Sequence, residues 1–239
     1  MLKIALIGYG KMGKTIAQLA AEQGCEVVLQ LNSATMATIS NADLRQAQVA
    51  IEFTRPDAAT TNILRCFEAN LPVVCGTTGW HNALPQIVQT CQKLNGALLY
   101  ATNFSLGVNI FFAINRQLAQ LLNGKNYTPQ ITEIHHTEKL DAPSGTAITL
   151  ANDIIANNPN LLEWVNHAAT TENQLAILSE RVADVKGTHI INWQSAVDTL
   201  SIAHYAHNRN GFALGALVAA KWLAGKQGIF TMNDVLGIH

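Results

Sequence analysis

Charge is what this 239-residue chain has least of: Asp, Glu, Lys and Arg make up 13% of it, against roughly a quarter in an average soluble domain. With hydrophobic residues at 49%, that shortage implies that surface is covered between subunits as well as within one, and a homo-oligomer is expected. Net charge is -1 and no run of Lys or Arg occurs, so there is no electrostatic footprint for nucleic acid or for an anionic membrane. No apolar segment approaches the ~20 residues that span a bilayer. The amino terminus enters a strand-like run without a basic leader, and a cytoplasmic protein is expected. Cysteine is scarce too: Cys25, Cys66, Cys75 and Cys91 form no CxxC and no ligand spacing. That gives no support to a metal site or a redox pair, and buried thiols in a reducing compartment are expected. Internal repeats and low-complexity segments are absent. The length suits one large domain or two small ones.

What is present begins at once. Residues 2–7 are a β-branched and leucine run that stops at Gly8-Tyr9-Gly10-Lys11-Met12-Gly13, and Ile16, Leu19 and Ala20 then recur at helical spacing. Strand, GxGxxG, helix is the order that holds a dinucleotide pyrophosphate: the glycines allow a tight turn and close approach, and the helix start offers unpaired N–H groups. Further strands are predicted at 27–31, 49–53, 72–75 and 97–101. Their ends carry small and polar residues: Thr54-Arg55, Gly76-Thr77-Thr78-Gly79 and Thr102-Asn103-Phe104-Ser105. Doubly wound parallel sheets bind ligands at such ends. After 27–31 comes Gln30-Leu31-Asn32-Ser33, with no carboxylate for ribose hydroxyls. Asn32 or Ser33 can take that place, and NADH and NADPH both stay open.

From residue 130 the pattern changes. Strands are expected at 130–136, 189–194 and 199–205, with a helix from Gly145 to about Asn157, an α+β layout with a mixed or antiparallel sheet. The expected domains are 1–105 for dinucleotide binding, with 212–239 returning to it, and 106–211 for substrate binding and oligomerisation. The chemistry concentrates between Glu133 and Ala147. If residues 133–139 are extended, Glu133, His135, Thr137 and Lys139 share one face, with Lys139 there or on the loop that continues it. Imidazole titrates near neutrality, and a lysine near another cation or partly desolvated can work as a general acid. Pro143-Ser144-Gly145-Thr146 reads as a helix start with Ser144 as N-cap, and the N–H groups of Gly145 and Thr146 suit a carboxylate.

At these residues the chain resembles the dihydrodipicolinate reductase family. The resemblance rests on Glu133-x-His135-His136-x-x-Lys139-x-Asp141-Ala142-Pro143-Ser144-Gly145-Thr146-Ala147. Supporting matches run from Gly8-x-Gly10-Lys11-Met12-Gly13 through Phe53-Thr54-Arg55-Pro56, Gly76-Thr77-Thr78-Gly79 and Asn103-Phe104-Ser105-x-Gly107-Val108-Asn109. A partial match lies at Arg181-x-x-Asp184-Val185-x-Gly187-x-His189, where Ala183 replaces a glycine. The segment from about 157 to 181 is shorter than in longer members. The resemblance implies NADH- or NADPH-dependent reduction of a cyclic dicarboxylate to tetrahydrodipicolinate, in the diaminopimelate and lysine pathway. It implies acid and base work for His135 and Lys139, with Lys139 as proton donor. It assigns substrate carboxylate contacts to His136, Gly145 and Thr146. Cofactor contacts fall to Gly8, Tyr9, Gly10, Lys11, Met12, Gly13, Arg55, Gly76, Thr77, Thr78, Thr102, Asn103 and Phe104. A homotetramer built through the second sheet is also implied.

Two other readings compete. A semialdehyde dehydrogenase would share the two-domain plan but needs a cysteine nucleophile, for which Cys75 at a strand end is the candidate. A dinucleotide-sensing regulator would need a basic nucleic-acid surface and no His135, Lys139 or Gly145-Thr146 turn.

Overall fold

The computed structural model describes residues 1–238, and they divide into two compact units: Met1–Leu106 with the chain from Asn210 onward, and Gly107–Arg209. The first unit opens with β1 (Leu2–Ile7), α1 (Lys11–Ala20), β2 (Cys25–Leu31), α2 (Ser33–Thr38) and α3 (Asn41–Leu44). It continues with β3 (Val49–Glu52), α4 (Pro56–Glu68), β4 (Val73–Cys75), α5 (Leu84–Leu94) and β5 (Ala97–Tyr100). The second unit comprises most of α6 (Leu106–Leu122), then β6 (Thr128–His135), α7 (Gly145–Ala156), β7 (Glu163–Val165), β8 (Gln174–Arg181), β9 (Thr188–Gln194) and β10 (Thr199–Tyr205). Then α8 (Asn210–Leu223), β11 (Gly228–Phe230) and α9 (Met232–Leu236) complete the first unit.

The first sheet is parallel, ordered β11-β5-β4-β3-β1-β2. Its central strands are apolar on both faces because both are covered. Ala5, Ile7, Ala50, Val73 and Leu98 point to one core with Ile63 and Phe67 of α4 and Ile87 of α5. Ile4, Leu6, Ile51, Val74 and Leu99 point to the other, with Ile16 of α1 and the small residues Ala213, Ala216 and Ala220 of α8. The winding reverses between β1 and β3, so the crevice beyond their carboxyl ends, at Gly8 and Phe53, is where such a sheet takes a ligand. α4 starts there, with Pro56 in its first turn and Asp57 at its positive dipole end.

The second sheet is mixed, ordered β10-β9-β6-β8-β7, with β6 parallel to β8 and antiparallel to β9. Period-two alternation sends Ile131, Ile177, Ile191 and Trp193 to one face, where α6 and α7 cover them through Phe111, Phe112, Leu150 and Ile154. Asn115 of α6 donates to the Leu150 carbonyl of α7 at 3.0 Å. β8 lies inside a stretch with no strand predicted. Leu175, Ala176, Ile177 and Leu178 are apolar on both sides and do not alternate, so only pairing with β6 and β7 marks it as a strand.

Candidate active site

The register of the second sheet assembles a cluster of titratable side chains. Glu133 stands opposite His189 of β9 and Ser179 of β8, and His135 opposite Arg181 at the end of β8. Glu133, wholly buried, places Oε2 2.9 Å from His135 Nδ1 and Oε1 3.2 Å from each terminal nitrogen of Arg181. Burial opposes ionisation of Glu133, but hydrogen-bonding neighbours, His135 first and then Ser144, outweigh it and hold the carboxyl well below the usual carboxylate range. With Nδ1 turned to the carboxylate, the His135 ring leaves Nε2 on its far side, where a Cβ on Gly187 would lie 3.3 Å away. Gly187 has φ +151, so the backbone favours glycine there and the imidazole leaves a Cβ little room.

His189 is packed edge-on to His135 with ring centroids 5.2 Å apart, and its Nε2 is 3.0 Å from Ser144 Oγ. Burial first, then the nearby basic side chains of His135, His204 and Lys139, push its pKa down to about 3 against the pull of the Glu133 carboxylate. The unfolded chain protonates this histidine near its ordinary 6.5 and the folded one does not. Its contribution to stability is therefore fully present above pH 6.5 and lost progressively as pH falls toward 3. Tm measured between about pH 7.5 and 5 falls for the native protein, and His189→Asn flattens that slope. An unchanged slope would refute the assignment.

Lys139 does not continue the strand. β6 ends at His135, and Thr137-Glu138 form a turn closed by the Lys139 N–H on the His136 carbonyl at 3.1 Å. The extended face shared by Glu133, His135, Thr137 and Lys139 thus stops at its second member. Lys139 is on the following loop, its ammonium 2.7 Å from both carboxylate oxygens of Asp141. The hydrogen bond from Lys139 holds the Asp141 carboxyl below the usual range. Close by, His136 Nε2 is 3.0 Å from the Arg209 guanidinium.

The loop returns to α7 through Ser144, whose Oγ accepts from Ala147 N at 3.2 Å. This is the N-cap expected, and it takes the third amide of the helix. The first two, Gly145 and Thr146, have no helical acceptor by geometry. A Cβ on Gly145 would meet nothing within 4 Å, so the space before this dipole end is open to an anion.

The first unit holds a cleft of about 720 Å³ lined by Gly8, Tyr9, Gly10, Asn32, Phe53 and Arg55, among others. Its glycines divide by role. Gly8 has φ +97 and a Cβ there would sit 2.0 Å from the Phe53 carbonyl oxygen, while a Cβ on Gly13 would sit 2.1 Å from that of Gly8. Gly10, the N-cap of α1, has no side-chain cap, and a Cβ on it would meet nothing within 4 Å. The turn is closed by two glycines and left bare at the third, the cradle a pyrophosphate fits. Lys11 is exposed on the first turn, and Met12 packs toward the α8 core. Asn32 caps α2 in a capping box with Thr35, its Oδ1 accepting from Thr35 N at 3.0 Å. Ser33, beside it, also lines the cleft.

The other strand ends act partly as scaffold. Thr77 Oγ1 accepts from Thr54 N at 2.8 Å, and the Thr77 carbonyl accepts from Trp80 Nε1 at 2.7 Å. A Cβ on Gly76 would enter the Phe53 ring. Phe104 turns its ring into the core, 5.8 Å from Phe53, and Asn103 Oδ1 accepts from Ser105 N at 2.9 Å. Thr78 and Thr102 are exposed.

Cys75 is not an available nucleophile. It is wholly buried, its thiol donates to Glu52 Oε2 at 3.1 Å, and burial together with Glu52 pushes its pKa far up. Glu133, His135 and His189 bring one ligand atom each within 4.8 Å of one another. The Arg181 guanidinium on Glu133 already supplies the positive charge a cation would bring. Arg181, His189 and Glu133 belong to the cluster although residue type and spacing assign them no role. Strand alternation puts Glu133 on the face of His135, whereas Arg181 and His189 are brought there only by the pairing of β6 with β8 and β9.

The chain is similar to known proteins. The family model "Dihydrodipicolinate reductase, N-terminus" covers residues 2–104 and "Dihydrodipicolinate reductase, C-terminus" residues 107–236. A 4-hydroxy-tetrahydrodipicolinate reductase from Christiangramia forsetii is 45% identical over 238 residues, 98% of this chain and 98% of its own. One from Methanoregula boonei is 31% identical over 260 aligned positions, covering 100% of this chain and 99% of its own. Among solved structures, a dipicolinate-bound dihydrodipicolinate reductase from Paenisporosarcina superposes with a TM-score of 0.78 over 97% of each chain at 21% identity, a likeness of fold.

Proposed function

The chain belongs to the dihydrodipicolinate reductase family, and from that premise we propose how its residues reduce a cyclic dicarboxylate. It is a pyridine-nucleotide-dependent oxidoreductase of diaminopimelate and lysine biosynthesis that forms tetrahydrodipicolinate. NADH or NADPH, once bound, would supply the hydride. Lys139 would supply the proton that completes reduction of the ring double bond of the dihydrodipicolinate. His135, oriented by Glu133, stands as the second proton-transfer group. The open amides of Gly145 and Thr146 take one substrate carboxylate, and His136 serves the substrate from the same loop. The observation that carries this reading is the convergence of Glu133-held His135, the Lys139 loop and the uncovered start of α7 in one unit.

The nucleotide is held in the cleft at Gly8 to Gly13 and Arg55. No carboxylate ends β2, so nothing there repels a 2′-phosphate, and both nucleotides are accepted. The second sheet leaves Thr132, Ile134, Leu178 and Ile190 half-buried on the side away from α6 and α7, which supports assembly of copies into a tetramer through that face. No helix among the described residues is long and apolar enough to cross a membrane. All four thiols are free and buried, which supports a place in the cytoplasm.

Coupled to dihydrodipicolinate synthase and its substrates, the purified protein is expected to oxidise NADH and NADPH with kcat/KM values within about tenfold of each other. Binding of nucleotide without oxidation would overturn the assignment. Because a Cβ on Gly10 strikes no protein atom, Gly10→Ala keeps its Tm while nucleotide Kd rises about tenfold or more. Equal Kd values would remove Gly10 from the nucleotide site.

A further inference from the structure

Arg181 has no task in the reaction as proposed. It ends β8 beside His135 of β6, and its guanidinium is directed at one small region. Both terminal nitrogens donate to Glu133 Oε1 at 3.2 Å, one of them also donates to the Asp141 carbonyl at 2.7 Å, and Nε donates to the Lys139 carbonyl at 3.3 Å. The remaining bond returns to its own strand, at the Glu180 carbonyl, 2.7 Å away. The segment it grips has no regular secondary structure, and Leu140 at its tip is 97% exposed. Apolar packing therefore does not hold the tip of this segment down. Arg181 ties its backbone at Lys139 and Asp141, Glu133 holds Arg181, and the same Glu133 carboxylate faces His135.

We infer that Arg181 is a positioning residue that seats the Lys139 loop, and that through Glu133 it sets the Lys139 ammonium in register with His135. The inference rests on the reading of Lys139 as proton donor. Arginine is required because a planar guanidinium meets a carboxylate and two carbonyls along fixed directions, whereas lysine offers one charge on a flexible stem. A loop displaced by ~1 Å is enough to slow a positioned reaction about a hundredfold.

The test uses Arg181→Lys in the wild-type and Lys139→Ala backgrounds, assayed as coupled enzyme. Arg181→Lys is expected to lower kcat about 30-fold with nucleotide Kd unchanged. The solvent deuterium isotope effect on kcat should rise as proton delivery becomes slow. Without Lys139, the same change should add less than about threefold, because two residues acting through one group are not additive. An Arg181 effect that persists in full without Lys139, or an isotope effect that does not move, overturns the inference. So does a lowered Tm with unchanged kcat, which is what a merely structural role produces. Should Arg181→Lys prove too unstable to assay at the usual temperature, the same readings are taken at a lower temperature at which calorimetry finds it folded. Full activity of Lys139→Ala alone would strike the proton-donor reading itself, which separates the two failures.

Discussion

Replacing Lys139 with alanine is expected to lower kcat by ~100-fold or more while nucleotide Kd stays within about twofold. The size follows from what a positioned proton donor contributes to a transition state, and the selectivity from where the residue is. Lys139 lies on a loop of the second unit, whereas the glycine turn and the 720 Å³ cleft belong to the first. Its ammonium is 2.7 Å from both oxygens of Asp141, which is exposed, so removing it leaves no buried charge behind and Tm should hardly change. Steady-state rates in the coupled assay, with nucleotide titration by fluorescence, check both parts. Full turnover by the variant would assign the proton to another group, with His135 next in line.

Glu133→Ala should act on stability as strongly as Lys139→Ala acts on rate. Glu133 is wholly buried and serves two cationic or polar partners, Arg181 and His135. Breaking a buried ion pair from one side costs about 3–5 kcal/mol. For a chain of this length each kcal/mol shifts Tm by about 2–4 °C, so a fall of roughly 6–20 °C is expected. The effect also depends on pH. Because the folded carboxyl titrates below its ordinary range, its contribution is present above about pH 4.3 and lost as pH falls further. The difference in Tm between native protein and variant should therefore shrink on acidification below about pH 4.3. Calorimetry across that range measures it, and a constant difference would show that Glu133 does not act as a charge. Activity should fall as well, since His135 and the Lys139 loop share this one anchor.

Much of the fold could be read because its signals are local. Parallel strands covered on both faces appear as short continuous apolar runs, as in Val49 to Ile51 and Val73 to Cys75, and Gly8 to Gly13 marks a turn by residue type alone. The expected N-cap at Ser144 depends on one hydroxyl and the amide three residues on. Elements with weaker local marks are not legible in this way. α2 is six residues long and held by the Asn32 and Thr35 capping box, and β8 lacks alternation because Ala176 and Leu178 are as apolar as Leu175 and Ile177. The extended course through Lys139 failed for another reason. Nothing in Thr137-Glu138-Lys139 forbids a strand, and the turn there is secured by the Arg181 guanidinium on the Lys139 and Asp141 carbonyls, forty or more positions away.

By itself, the sequence determined the parallel-sheet architecture, the glycine turn and the residue types gathered between Glu133 and Ala147, because those depend on periodicity, glycine conformation and neighbours a few positions apart. Only the tertiary structure decided which of those residues work on one another. Glu133 meets His189 and Arg181 through the register of β6 with β9 and β8, and register between strands distant in the chain is chosen by burial of whole faces. Cys75 was withdrawn from chemistry by the same kind of long-range contact, with Glu52 on a neighbouring strand.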